Sequence, residues 1–549
     1  MWWHLWFATL FPHWSASVFL PLAFAATTAY FTTLRLRTYL HPFQQEEYDS
    51  PRLLQWWKDK RAYDRYASLG LAIGAPFGFL QASAPTLTAI LWLVLKARQE
   101  PDPTTTAKKA LVLTQRARHI WYLAAGLNLP VLIALTVAPL PAWVQVLLLI
   151  AHIQTLPPYL MAANTLLRPL QTWQNKKYTT EARTLLTRLK PTTIGLTGSF
   201  GKTSTKYLLN HILSASAPTL ATPGSVNTPL GIARIVREQL QPNHQYFLAE
   251  MGAYGPGSIA GLCKLAPPDI ACITAVGEAH YERFKSLETV AQAKFELAEA
   301  TLARGGKCIL NVDGIPDHLW QPRVAQNSAA YRLVSTRPDV LRDGDTLLSE
   351  IVQAPKGLAL TLTRNGEATP IQTPLFGHVQ AGNIAVAYAL AAELGLKPKA
   401  IAAALSTAQA APHRLSVQQI GTQTLIDDAY NANPQGFSTA LETLTLLGHA
   451  DPDHPRRRIL VTPGLVELGT AHAEVHARLG KLSATHADII LAIQPQRIPT
   501  FVEAAKATEL HTFATLAEAR TWLQTHGQPT DVILLANDLP DRYEARWTL

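Results

Sequence analysis

The most restrictive feature of this chain is a set of long uncharged stretches confined to its N-terminal third. Residues 5–34 carry no Asp, Glu, Lys or Arg, and neither do 67–95 or 119–167. A membrane-spanning helix needs about 20 apolar residues, so the first stretch can span once. The others supply at least three more hydrophobic segments, with a hairpin turn expected at Pro139 and Pro141. A cleavable signal peptide is not expected, because no Lys or Arg precedes residue 35.

Basic residues collect between the apolar runs, seven Lys/Arg over 34–67 and six over 96–118. The positive-inside rule assigns both loops to the cytoplasmic side, which a single crossing between them forbids. As a helix, 67–95 would measure about 43 Å at 1.5 Å per residue, too long for one upright span and too short for two. The stretch also contains Gly74, Pro76, Gly78 and Pro85. A broken or re-entrant hairpin is expected there, with one tilted helix as the alternative.

Because the positive charge is placed this way, the net +9 points to a membrane surface and not to nucleic acid. With 48% hydrophobic and 16% charged residues, intrinsic disorder is excluded. Cys263, Cys272 and Cys308 form no CxxC pair, so neither a zinc ribbon nor a disulfide framework is expected, and a reducing compartment fits.

After residue 168 the pattern changes. The stretch from Asn175 to Lys190 is basic, with Leu185, Leu186 and Leu189 on one face, and reads as a short amphipathic connector helix. β-Rich runs then alternate with helical patterns at 192–197, 246–250, 270–274 and 308–311, and again at 425–428, 458–462, 488–493 and 531–535. This alternation predicts two α/β domains with parallel sheets. The expected organisation is an α-helical transmembrane region over 1–170 and a linker over 171–190. A P-loop central domain over 191–410 and a Rossmann-like C-terminal domain over 411–549 follow.

The sharpest local signal is Gly195-Leu196-Thr197-Gly198-Ser199-Phe200-Gly201-Lys202-Thr203-Ser204, placed between a strand and a helix. Such a loop turns backbone N–H groups onto phosphate oxygens at a helix N-terminus. Lys202 supplies a point charge, and Thr203 offers a hydroxyl to Mg²⁺. The strict Walker pattern fails, since Leu196 stands where the first glycine belongs.

The shorter form TGSxGKTST resembles the Mur ligase superfamily, the ATP-dependent amide ligases that build the peptidoglycan stem peptide. Further segments are similar to its MurF branch: Ala249–Ala253, Pro267–Ala271, Gly277–Phe284, Val290–Leu297 and Ile426–Pro434. The resemblance covers roughly residues 190–485. It implies an acyl-phosphate mechanism with ATP and Mg²⁺ as cofactors. Thr197, Gly198, Ser199, Gly201, Lys202, Thr203 and Ser204 would hold the phosphates, Thr203 would ligate a first Mg²⁺, and Glu250 with His280 would ligate a second. Lys294 matches a lysine that is carbamylated in related ligases, becoming a further metal ligand. Lys202, His280 and Lys294 would form the catalytic set. By the same resemblance Asn383 reads adenine, Arg414 approaches the phosphates, Asp428 accepts from ribose hydroxyls, and Asn431 and Asn433 face the substrate.

Two segments depart from the branch. Pro463-Gly464-Leu465-Val466-Glu467-Leu468-Gly469 lacks the GlyAspMet expected before LeuGluLeuGly, and Leu535–Tyr543 replaces a LysGlySerArg signature. Both shape the pocket for the incoming amine. The domain that holds a UDP-muramoyl peptide is also missing, with hydrophobic segments in its place. The expected partners are therefore the membrane, a carboxylate-bearing peptide precursor that is lipid-linked or membrane-delivered, and an amino acid or dipeptide. The expected location is a bacterial cytoplasmic membrane, multi-pass, with the ligase domains on the cytoplasmic side. The alternatives are a poly-γ-glutamate-type ligase and a noncatalytic nucleotide-binding membrane scaffold.

Overall fold

The computed structural model describes residues 16–59, 62–74, 84–104, 110–277, 284, 286–430, 433–451, 453–466, 468–506 and 508–537. These fall into two compact units divided between Gln174 and Asn175.

The first unit is helical: α1 (Ala16–Gln45), α2 (Ser50–Asp59), α3 (Arg65–Gly74), α4 (Ala84–Gln99), α5 (Gln115–Val137), α6 (Ala142–Gln154) and the first part of α7 (Leu156–Leu189). The turn expected at Pro139 and Pro141 falls between α5 and α6. The connector expected as a separate short helix is instead the C-terminal part of the 34-residue α7. Pro169 lies within α7 without ending it.

The conflict between the two basic loops is resolved by α3 and α4, which pack as an antiparallel pair. Trp92 of α4 donates its indole N–H to the Tyr66 carbonyl of α3 at 3.3 Å, and the Lys96 ammonium sits 5.1 Å from the Tyr66 ring centre. With 10 and 16 residues, these helices measure about 15 and 24 Å, short of the ~30 Å of a bilayer's apolar core. The chain therefore returns to the end it left. At that end Arg35 is buried between Asp64 and Glu100, at 3.1 Å from each, and Arg37 pairs with Asp102 at 3.3 Å. Gln44 bonds the Val112 backbone in both directions. Gln154, the last residue of α6, donates to the Asp64 carbonyl at 2.9 Å. The break expected between residues 67 and 95 thus falls between α3 and α4.

Among the described residues one helix, Gln115–Leu135, is long and apolar enough to cross a membrane, and the bent pair Trp143–Gln154 with Leu156–Leu189 raises this to two at most. Four hydrophobic segments were expected, and among the described residues they yield this smaller number of helices long enough to span. The apolar runs are divided by short helices, and α1 carries Arg35 and Arg37 within its own length. Deeper inside the unit a polar chain ties three helices together. Asn128 donates to Thr32 Oγ1 at 2.9 Å, and its Oδ1 lies 2.6 Å from His152 Nε2. These buried polar groups are satisfied by one another.

The second unit contains two sheets. The first runs β2-β3-β1-β4-β5-β6-β7-β8-β9. Its strands are β1 (Thr192–Thr197), β2 (Thr219–Ala221), β3 (Tyr246–Glu250), β4 (Ile270–Ile273), β5 (Lys307–Asn311), β6 (Tyr331–Ser335), β7 (Thr346–Ala354), β8 (Gly357–Arg364) and β9 (Glu367–Thr373). The pairs from β2 through β7 are parallel, but β7-β8 and β8-β9 are antiparallel. The expected all-parallel sheet is therefore mixed. Turns at 355–356 and 365–366 join these last strands directly, and so short a connection permits only antiparallel pairing.

The second sheet runs β10-β11-β15-β12-β13-β14. It is built from β10 (Ser416–Ile420), β11 (Gln423–Asp428), β12 (Arg458–Thr462), β13 (Ile489–Ile493), β14 (Glu509–Phe513) and β15 (Val532–Ala536). Only the edge strand β10 is antiparallel. Central strands such as β13, buried at every position, read as continuous apolar runs because helices cover both faces.

Candidate active site

The site lies at the carboxyl ends of β1, β3 and β4, the edge of a parallel sheet where ligands ordinarily bind. β1 is buried from Thr193 onward, so the chain emerges at Thr197 in a fixed position. Thr197 Oγ1 donates to the Met251 carbonyl at 2.9 Å. The loop 198–201 then turns into helix α8 (Lys202–Ser214).

Two glycines in this loop have no substitute. A Cβ on Gly198 would meet Thr274 Oγ1 at 2.0 Å, and one on Gly201, whose φ is +82°, would meet Asn383 Oδ1 at 2.4 Å. Ser199 ties the loop to the residues after β4, donating to the Gly277 carbonyl at 3.0 Å and accepting from its N–H at 2.9 Å. Lys202 donates to the Gly198 carbonyl at 2.5 Å. Burial pulls the pKa of the Lys202 ammonium below its usual range; Glu250 opposes that shift and Arg414 adds to it. Lys202, Thr203 and Ser204 form the first turn of α8, where the helix dipole favours an anion.

Glu250 is the last residue of β3 and 1% exposed. Its Oε2 accepts from Thr203 Oγ1 at 3.0 Å and from Lys206 Nζ at 2.9 Å, while Oε1 accepts from Asn227 Nδ2 at 3.2 Å. A carboxylate and a hydroxyl so placed, beside a phosphate loop, fit Mg²⁺, which prefers one or two protein oxygens supplemented by substrate phosphates. Among the described residues no three His, Cys, Asp or Glu side chains converge as a metal site. His280, the other expected ligand, and Asn431 lie outside the described residues.

Lys294 sits in the helix Leu287–Leu302, buried. Burial first, and Lys202 second, push its ammonium well below the normal lysine range. The neutral amine is the form that can attack CO₂. Asn383, in the helix His378–Glu393, is buried against the phosphate loop. Its Oδ1 accepts from Thr205 at 3.3 Å and its Nδ2 donates to Gln380 at 2.9 Å.

The second sheet brings Arg414 and Asp428 to the same site. The Arg414 guanidinium stacks 4.3 Å from the Tyr430 ring centre, and the Tyr430 hydroxyl hydrogen-bonds Ser225 Oγ. Asp428 Oδ1 accepts from the Leu415 N–H at 3.0 Å. Asn433 caps the helix Pro434–Gly448, accepting from the Gly436 N–H at 2.7 Å.

Burial pushes the Asp428 carboxyl up to about 7, against the lowering effects of the Leu415 N–H and Arg414. Since the native pKa lies above the unfolded one, its stabilising contribution is complete below about pH 4 and is lost as pH rises through about 7. Asp428→Asn should therefore flatten the fall in melting temperature between about pH 4 and 7. An equal fall in variant and wild type would remove Asp428 as its source.

Sequence reasoning missed Lys206, Asn227, Tyr254 and Thr274. Tyr254 donates its hydroxyl to Asn227 Oδ1 at 2.8 Å, and Thr274 donates to the Phe200 carbonyl. The one available signal was Lys206 itself, a lysine among the buried positions Thr205, Leu208, Leu209 and Ile212 of α8.

Comparison with known proteins agrees with this geometry. Residues 196–391 match the Mur ligase middle domain and residues 413–537 the Mur ligase, glutamate ligase domain. The UDP-N-acetylmuramoyl-tripeptide--D-alanyl-D-alanine ligase of Mycobacterium leprae is 33% identical over 368 residues, 63% of this chain and 70% of that protein. The chain belongs to the Mur ligase family. The equally named Mycobacterium bovis protein is 36% identical over 299 residues, 53% of this chain and 56% of its own length, so the chain spans little more than half of that relative. Among solved structures, MurF from Acinetobacter baumannii superposes with a TM-score of 0.58 at 29% identity, covering 67% of this chain and 78% of that one. The MurF ligase of Thermotoga maritima in complex with ADP, at 23% identity and TM-score 0.56 over 67% of this chain and 81% of that one, shares the fold.

Proposed function

We propose that this Mur ligase is a membrane-anchored, ATP-dependent amide ligase of MurF type acting in peptidoglycan precursor synthesis. The observation that carries the reading is the buried Glu250–Thr203 pair beside Lys202, with Arg414 and Asp428 brought to the same sheet edge. A substrate carboxylate oxygen attacks the γ-phosphorus of ATP, the bond to the β-phosphate oxygen breaks, and ADP leaves. The amine nitrogen then attacks the acyl carbon, phosphate departs, and the amine proton is released. Lys202 and Arg414 supply fixed positive charge where two anions must meet, the kind of preorganised electrostatics that gives the largest share of such rate enhancements. Mg²⁺ held by Thr203 and Glu250 would neutralise phosphate charge.

Lys294, as a carbamate, would add a carboxylate to this set. Lys294→Ala should lower turnover ~10–100-fold, with partial recovery in added formate or acetate. No recovery with either acid would speak against the carbamate.

The membrane reading rests on the first unit. Large apolar side chains face outward along its helices, among them Leu87, Leu91 and Leu95 of α4 and Trp143 and Leu147 of α6. Water would penalise so extensive an apolar surface, and lipid would not. The two basic loops share one end, held by the Arg35 ion pairs, and the positive-inside rule makes that end cytoplasmic. Because the described residues ahead of the central sheet form the apolar helical unit, we assign a lipid-linked peptide as carboxylate donor and an amino acid or dipeptide such as D-Ala-D-Ala as acceptor.

The test is phosphate release by the detergent-solubilised full-length protein with Mg²⁺-ATP. UDP-muramoyl tripeptide or lipid-linked precursors are supplied with D-Ala-D-Ala or single amino acids. Release that requires both a carboxylate and an amine supports the ligase. Efficient use of the soluble nucleotide sugar, with none of the lipid-linked form, overturns the assignment of donor.

A further inference from the structure

Lys206 lies one helical turn beyond Lys202, so both project from the same face of α8. Lys202 turns back to the Gly198 carbonyl, whereas Lys206 reaches the carboxylate of Glu250. Lys206 is 1% exposed and 2.9 Å from Glu250 Oε2, a carboxylate equally buried. Its ammonium also reaches Thr222 Oγ1 at 3.5 Å and donates to the Gly224 carbonyl. The oxygen it pairs with is the one that accepts from Thr203. An ordinary structural ion pair has no reason to share the oxygen that faces the phosphate loop. Here one carboxylate oxygen stands between a fixed monovalent cation and the hydroxyl expected to help hold a divalent one.

From this arrangement we propose that Lys206 is a built-in counter-ion and positioning residue for Glu250. It keeps the carboxylate aimed at Thr203 and offsets its charge, so that a divalent cation binds well only together with nucleotide phosphates. The proposal rests on the reading above that Thr203 and Glu250 hold Mg²⁺. The physical reason is mutual repulsion. Accumulated negative charge is what draws a bare divalent ion to a protein site, and an adjacent buried ammonium weakens that attraction strongly in a region of low dielectric. Phosphate oxygens restore the missing negative charge, so the ion enters with the nucleotide and is released with it. The carboxylate does not depend on Lys206 alone for its orientation, because Thr203 and Asn227 also hold it.

The test is Mn²⁺ binding, followed by electron paramagnetic resonance, to the full-length protein in detergent with and without a nonhydrolysable ATP analogue. Lys206→Met and Lys206→Gln should bind Mn²⁺ alone ~10-fold more tightly than wild type, or better, while Lys206→Arg keeps the wild-type affinity. Folding of each variant is checked by thermal melting, and K206Q retains a donor for the Gly224 carbonyl. Folded K206M and K206Q proteins with unchanged or weaker Mn²⁺ affinity would overturn the proposal. If neither variant folds, the wild type decides: Mn²⁺ binding as tight without the analogue as with it overturns the proposal, and weak binding without it supports it. A Thr203→Val arm separates the two readings. Loss of Mn²⁺ binding in T203V without any gain in K206Q removes only the counter-ion role. T203V with unaltered Mn²⁺ binding removes the metal site itself.

Discussion

Lys202→Ala should lower ATP-dependent phosphate release by ~10²–10³-fold or more, the usual consequence of removing one preorganised charge from a phosphoryl or acyl transfer site. The fold should survive. Lys202 is the first residue of α8 and the loop before it is also held by Thr274, and burial already opposes its charge. The measurement is turnover together with a melting curve: activity lost with the melting temperature retained is the expected pair. Turnover within a few-fold of wild type would mean that the phosphates do not lie against this loop.

Glu250→Gln should have the largest effect on stability. It leaves the Lys206 ammonium buried at 1% exposure with its charge partner gone, and breaking one side of a buried pair costs about 3–5 kcal/mol. Replacing both partners, as Glu250→Leu with Lys206→Met, should recover most of that loss, since removing a buried pair altogether is often nearly neutral. Both proteins should be inactive, because Thr203 then has no carboxylate beside it. The cycle is read from chemical or thermal unfolding of wild type, Glu250→Leu, Lys206→Met and the double variant, with Glu250→Gln measured beside them. A double variant as unstable as Glu250→Gln would show that the pair contributes through packing and not through charge.

Much of the second unit was legible from local pattern. Eight strands were placed to within two residues at each end, because each is a short β-branched or apolar run between helical periodicities, and such runs carry their signal in adjacent residues. Strands β6 to β9 were not read. The last three alternate in burial, as β9 does from Glu367 to Thr373, and are interspersed with Thr, Gln and Glu, so their pattern resembles loop. The short β2 and the edge strands β10 and β14 were missed for a similar reason: an exposed edge keeps few apolar residues. The phosphate loop was fully legible, since strand, glycines, lysine and hydroxyl are contiguous in the chain.

The helical unit shows where local pattern stops being informative. Uncharged length marks four hydrophobic segments, yet helix length among the described residues leaves one or two long enough to span, because hydropathy does not report where a helix breaks. The glycines and prolines between 67 and 95 pointed to a break there, and α3 and α4 are separate helices. The structure supplied the mechanism, a short antiparallel pair closed by buried ion pairs that join residues 35, 64 and 100.

By itself the sequence determined the phosphate loop, the alternation of strands and helices around it, the family, and the division between an apolar N-terminal third and an α/β remainder. All of these depend on residues near one another along the chain. Only the tertiary structure decided that Lys206 faces Glu250 across 44 positions, that Asp428 is buried enough to titrate near neutrality, and that the basic loops meet at one end. Those outcomes depend on which distant side chains share a low-dielectric interior, and spacing along a chain carries no information about the dielectric around a charge.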